Sequence, residues 1–234
     1  MTDRQKSILF AVIQEYIKAA QPVSSKLIFE KYDFDISPAT FRSEFAELEE
    51  MGCLFQPHTS SGRVPTDAGY RLFVNHILGK RETETNRMKS VFSELLKARR
   101  RQDEIFADLA RSISELSQGV VFSGPLGAKM LFRSGINEVF AQPEFDDISF
   151  RRDFGSIVDT FEDNISSIVR KMDENQFLVF IGEENPFKRS NDFGMIVSKC
   201  NFSGSDSIVA ILGPKRMNYE KNIELINSLI RLLK

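Results

Sequence analysis

Tryptophan is absent from this chain, histidine and cysteine occur twice each, and no run approaches the ~18 apolar residues of a membrane helix. Each shortage closes off a class of function. His58 and His76 form no HExxH or similar ligand spacing, so no metal site is indicated. Cys53 and Cys200 lie far apart in mostly apolar surroundings; they read as reduced core residues of a cytoplasmic protein, not as a disulfide. There is no Walker loop and no GxSxG, so neither a catalytic centre nor a cofactor is expected. Positive charge is not in excess either. The net charge is −2, and residues 1–81 hold ten Lys/Arg against ten Asp/Glu. No global field advertises nucleic acid, so any case for DNA must rest on where the charges fall. The start, with Asp3 and Glu15 and no small-residue cleavage site, reads as an amphipathic helix rather than a signal peptide. Phenylalanine, by contrast, is abundant at 21 residues.

The 234 residues suffice for one or two domains with their own cores. The pattern predicts an α+β chain in three parts: 1–80, 81–118 and 119–234. Thr2 and Gln5 form a capping box for a helix over Asp3–Ala19, with Ile8, Leu9, Val12, Ile13, Tyr16 and Ile17 as its apolar stripe. Gln21-Pro22 ends it. Ser24 or Ser25 starts a short helix to Lys31, with Leu27 and Ile28 inward. Ser37-Pro38 starts a third helix, with Ser as N-cap and Pro at the first position. Its core face is Phe41, Phe45, Leu48 and Met51, and Gly52 closes it. A hairpin follows, from Cys53–Gln56 to Arg63–Pro65 around a polar tip, and Thr66 caps a further helix to Leu78. Three helices and a small hairpin make the winged helix-turn-helix plan.

Residues 82–118 read as one long polar helix. Val91, Leu95, Ala98, Ile105, Leu109 and Leu116 follow a 4-3 spacing, interrupted by Gln102 and Ser112. That seam is either a coiled-coil dimer contact or the packed side of a linker helix. Gly119–Gly135 reads as a Gly-rich junction. Beyond it come a helical stretch over Ile148–Met172 with a break near Glu162 and a buried strand over Phe177–Ile181. A hairpin follows, Phe193–Phe202 with Ser207–Leu212, and then a closing helix over Asn218–Leu233. Glu183 and Glu184 read as an exposed loop rather than an acid/base pair. Gly213-Pro214-Lys215-Arg216 reads as a turn rather than an anion cradle.

A helix that reads a major groove needs a rigid apolar back and a small polar front. The third helix has both. Ser37, Pro38, Ala39, Thr40, Arg42 and Ser43 lie near its start and off the apolar stripe. Ala39 and the Thr40 methyl suit a thymine methyl, Thr40 and Ser43 can bond base edges, and Arg42 can grip guanine or a phosphate. Glu44, Glu47, Glu49 and Glu50 come mostly later, farther from phosphates. His58, Thr59, Ser60, Ser61 and Arg63 form a hairpin tip able to reach backbone or minor groove. Ser24, Ser25 and Lys26 are candidates for a phosphate contact, with ordinary helix capping as the competing explanation.

The segments RQKSILFAVIQEYIKAAQPVSSKLI and SPATFRSEFAELEEMGCLFQPHTSSGRVPTDAGYRLFV resemble the HrcA heat-inducible transcription repressors, as do SGINEVFAQPEFDD, the IGEEN loop and AILGPKRMNY. The resemblance implies a homodimeric repressor of heat-shock and chaperone genes that binds an inverted-repeat operator in double-stranded DNA. It also implies a GAF-like second domain carrying a dimerising insert, and the GroEL chaperonin as a partner. Here Val120–Leu126 is followed almost directly by Met130–Gly135, so much of the middle of that domain is missing and the chain reads as a shortened member with a truncated GAF-like α/β domain. The third helix also departs from the family, which more often has a small residue, Ile, Asn and Met at Pro38, Phe41, Ser43 and Phe45. The alternative is a ligand- or protein-sensing GAF-like regulator with altered DNA specificity.

Overall fold

The computed structural model describes residues 1–59, 61–80, 92–93, 101–129, 131–202 and 204–233. The chain is a mixture of helices and antiparallel sheet divided into two compact units, Met1–Arg81 and Glu82–Lys234.

Unit 1 begins with α1 (Asp3–Ala19). The Thr2–Gln5 capping box is formed: the Thr2 N–H donates to Gln5 Oε1 at 2.8 Å, and the Gln5 N–H to Thr2 Oγ1 at 3.2 Å. Two otherwise orphaned helix-end groups are thereby satisfied. Ile8, Leu9, Val12 and Ile13 are wholly buried. Ser24 caps α2 (Ser25–Lys31). Ile28 is buried there, but Leu27 is 43% exposed, contrary to expectation. On so short a helix only one residue per turn can face α1. Ser37 caps α3 (Pro38–Glu50), whose Phe41, Phe45 and Leu48 point into the core. Met51, expected to continue that stripe, is 47% exposed. It is the C-cap, and Gly52 at φ +69° turns the chain away just beyond it. Strands β1 (Leu54–Phe55) and β2 (Val64–Pro65) pair antiparallel, shorter than the predicted hairpin arms. Thr66 caps α4 (Asp67–Gly79) and also donates to the Gly52 carbonyl at 2.6 Å.

An ion cluster that no sequence spacing announces ties α1 to α2. Glu15 is buried and accepts from Lys31 at 2.6 Å, Tyr32 at 2.9 Å and Lys18 at 3.0 Å. Burial pushes its carboxyl upward, but the three donors outweigh burial and hold it at about 2. The carboxylate thus favours the folded state above its ordinary value near 4.5, and that contribution fades as pH falls toward 2. Glu15→Gln is expected to lower stability at pH 7 by about 1–2 kcal/mol, given half-exposed cationic partners. In thermal melts the gap between variant and wild type should narrow steadily from pH 5 to pH 2. A gap that does not change with pH would refute the linkage.

In unit 2, α5 (Gln102–Ser117) starts afresh, since Arg101 before it is extended at φ −64°, ψ 146°. The long helical stretch expected over 82–118 therefore does not run through Arg101. The supposed junction over Gly119–Gly135 instead contains β3 (Val120–Pro125) and β4 (Phe132–Ser134). Then come α6 (Ile136–Phe140), a short 3-10 turn, α7 (Ile148–Asp159) and α8 (Phe161–Val169), divided at Thr160. Strands β5 (Gln176–Ile181), β6 (Phe193–Phe202) and β7 (Ser205–Pro214) lead to α9 (Tyr219–Leu232). The antiparallel sheet runs β4-β3-β7-β6-β5. Strand β5 was expected to be buried, but it occupies an edge, and only Ile181 in it is fully covered. One core joins Val120, Phe122, Phe154, Phe161, Met195 and Val197. Phenylalanine's abundance finds its use in such packing: Phe122 stacks on Phe161 at 3.7 Å, and Phe145, Phe150, Phe154 and Phe193 interlock edge to face and tilted. Cys53 and Cys200 are both free and buried. Burial raises both thiols, Cys200 to about 12, so thiolate chemistry is suppressed at each.

Candidate nucleic-acid interface

The helix α3 meets the requirement of a stiff back first. Phe41 lies against Phe29, Phe34 and Phe45 at ring distances of 5.5, 5.4 and 5.6 Å. This aromatic stack joins α2, the turn after it and α3, and it leaves the opposite face outward. Ser37, Pro38, Ala39, Thr40, Arg42 and Ser43 are all exposed on the first half of the helix. Ser37 is the N-cap: its Oγ accepts the Thr40 N–H at 3.1 Å and lies 2.9 Å from Thr40 Oγ1. Those two hydroxyls hold each other, while Ala39, Arg42 and Ser43 point outward. Arg42 forms no ion pair among the described residues.

The acidic half of α3 is largely compensated rather than merely remote. Glu44 is buried and gripped by Arg4 through Nε at 2.7 Å and through Nη2. Glu47 takes Gln5 Nε2 at 2.8 Å and the Ser43 hydroxyl at 3.4 Å. Glu49 takes Arg63 through both Nε and Nη2 at 2.8 Å. Sequence reasoning missed Arg4 and Gln5, because partners some forty positions away leave no local signal.

The hairpin tip is built around Ser61. Its Oγ accepts the His58 N–H at 3.0 Å and donates to the His58 carbonyl at 2.7 Å. Gln56 Nε2 closes the loop on the Thr59 and Ser61 carbonyls, each at 2.9 Å. His58 and Thr59 are exposed, Ser61 is half-buried, and Ser60 lies outside the described residues. Arg63 is at the base, not the tip. Its N–H and C=O pair with those of Val23 at 2.8 and 2.9 Å, which binds the hairpin to the segment before α2. Ser24 is occupied as a cap, accepting the Leu27 N–H at 3.1 Å. Ser25 is half-buried. Lys26 is exposed, 3.8 Å from Glu30.

The proposed seam is only partly visible, since Val91, Leu95 and Ala98 lie outside the described residues. Ile105 and Leu109 are buried within unit 2 and Leu116 is half-buried. The apolar surface of Ile105 and Leu109 is therefore already covered in a single chain. Their helix packs on the sheet, where the Ser123 hydroxyl donates to the Phe106 carbonyl at 2.6 Å. Arg216 pairs with Glu144 Oε2 at 2.9 Å and Gln142 at 3.0 Å, a structural tie at the turn before α9. Among the described residues no group of acidic, Cys and His side chains has the arrangement of a metal site, and no helix is long and apolar enough to cross a membrane.

Residues 70–223 match the family described as HrcA protein C terminal domain. The heat-inducible transcription repressor HrcA of Symbiobacterium thermophilum is 38% identical over 132 residues, covering 56% of this chain and 39% of that relative. That of Carboxydothermus hydrogenoformans is 54% identical over 78 residues, 33% of this chain and 23% of the relative. The chain thus spans well under half the length of these relatives in the matched stretches. The repressor of Thermodesulfovibrio yellowstonii aligns over 337 residues at 24% identity, with 100% of this chain and 97% of the relative covered. Its alignment is longer than this chain, so the relative holds residues without a counterpart here. A crystal structure of a hypothetical protein shares the fold, with a TM-score of 0.84 at 18% identity, covering 100% of this chain and 97% of that one. With two thirds of its length matched by the family's C-terminal domain and its whole length aligned to a relative, this chain belongs to the HrcA family.

Proposed function

We propose that unit 1 is a winged helix-turn-helix that binds double-stranded DNA, and that the chain is a transcription repressor of heat-shock genes acting as a homodimer on an inverted repeat. In this reading α3 enters the major groove and the hairpin is the wing. Ala39, Thr40, Arg42 and Ser43 face base edges, and His58 and Thr59 reach the backbone. Lys26 lies where it can approach a phosphate. Unit 2 is a reduced GAF-like domain, and GroEL is the partner that family membership points to. The observation that carries the proposal is the exposed polar front of α3 on a buried Phe41/Phe45/Leu48 back, with Arg42 free of any ion pair among the described residues.

Fluorescence anisotropy at physiological salt is the test. The chain should prefer a duplex with two half-sites about one turn, ~34–36 Å, apart over random duplex, with two chains bound per site. Equal affinity for both would overturn the reading. Arg42→Ala should cost about 1–3 kcal/mol of binding and relax specificity at one base position, with no change in melting temperature. If all sequences weaken equally, Arg42 touches phosphate and not a base.

A further inference from the structure

Arg63 is the wing cation that the sequence offers to DNA, yet its side chain is spent elsewhere. The side chain is only 21% exposed, and its guanidinium holds Glu49 through two nitrogens. Its backbone is bonded in both directions to Val23. A guanidinium with two nitrogens on one carboxylate is held in a fixed plane, which a lysine cannot reproduce.

The place of Glu49 on α3 gives the pair its meaning. At 100° per residue, Glu49 falls within about 20° of Arg42, two turns further along the same flank of the helix. Left uncovered, its charge would lie on the side of α3 that carries the Arg42 guanidinium, next to any phosphate that approaches there. Glu44 and Glu47 lie toward the other flank, where Arg4 and Gln5 hold them.

We propose that Arg63 is a positioning residue and not a DNA contact. It neutralises Glu49, keeps the Arg42 flank of α3 open to an anionic partner, and fixes the base of the wing to the second half of the helix. The proposal rests on the DNA-binding reading and adds a role inside it.

The test is a double-mutant cycle on the full chain, read by anisotropy with the inverted-repeat duplex and a random duplex. Arg63→Ala should weaken specific binding about tenfold. Adding Glu49→Gln to it should restore affinity to within about threefold of wild type, because the charge that harmed binding is gone. The dependence of log K on log salt should keep its slope in Arg63→Ala. A direct phosphate contact predicts the reverse: a slope smaller by about one and no rescue by Glu49→Gln, and that result would overturn the proposal. Should Arg63→Ala fail to fold, the charge exchange of Glu49→Arg with Arg63→Glu serves instead. Positioning predicts near wild-type binding for the exchanged pair, whereas a contact role predicts its loss. A wild-type chain without preference for the inverted repeat would remove the DNA reading, and the role of Arg63 with it. Specific wild-type binding without rescue would remove the role of Arg63 alone.

Discussion

Phe41→Ala is expected to destabilise unit 1 by about 3–5 kcal/mol, the range for deleting a fully buried aromatic ring. Only 1% of Phe41 is exposed, and it touches three other rings. Part of the loss is the transfer energy of the ring and part is the cavity left behind. Pairwise aromatic contacts add about 0.5–1.5 kcal/mol each in favourable geometry. A domain of this size has only about 5–15 kcal/mol to lose, so urea unfolding should shift far toward lower denaturant. Phe29 and Phe34 reach Phe41 from α2 and the turn after it, so their alignment with α3 goes with the ring. DNA affinity should therefore fall together with stability, in contrast to Arg42→Ala, which should affect binding alone. A loss below 1 kcal/mol would mean that α3 is held by something other than this stack.

What the sequence made legible follows from which interactions are local. The Thr2–Gln5 box, the caps at Ser24, Ser37 and Thr66, and the Gly52 turn all lie within a few residues, and each is formed. The front of α3 could be read because exposure on a helix follows from 3.6-residue spacing. Where the reading failed, the deciding contact was distant. Periodicity identified the stripe of α3 but not its end at Met51. The strand order of the sheet decides that β5 sits at an edge, and no local pattern in Phe177–Ile181 encodes that order. Residues 119–135 looked like a junction because of their glycines. Gly119 and Gly124 in fact flank or sit within strand β3, whose pairing with β7 involves residues some ninety positions later. The partner of Arg63 is likewise fourteen residues away across a turn. Composition alone would place Arg63 on a nucleic-acid surface.

Gly62 is where one added carbon should do the most damage to this arrangement. A Cβ there would lie 2.5 Å from the Val23 carbonyl oxygen and 2.7 Å from its nitrogen. These are backbone atoms, so no flexible side chain can yield. Relief requires the hairpin to move away from Val23, which breaks the two hydrogen bonds between Val23 and Arg63. Each is worth about 1 kcal/mol net, and the overpacking itself costs about 1–3 kcal/mol. Gly62→Ala should thus lower stability by about 3–5 kcal/mol, a large effect for one methyl group. The consequence reaches the candidate interface as well: as the hairpin shifts, Arg63 is drawn off Glu49 and the tip at His58–Thr59 is displaced with it. Amide hydrogen exchange should speed up at Val23 and Arg63 first, and specific DNA binding should weaken beyond the tenfold expected for Arg63→Ala. Adding Glu49→Gln should recover only the part of that loss due to charge, since the displaced tip is not restored by removing a carboxylate. Wild-type exchange at Val23 and an unchanged melting temperature would show that the hairpin base tolerates a side chain and that its contact with the segment before α2 is not what positions the hairpin.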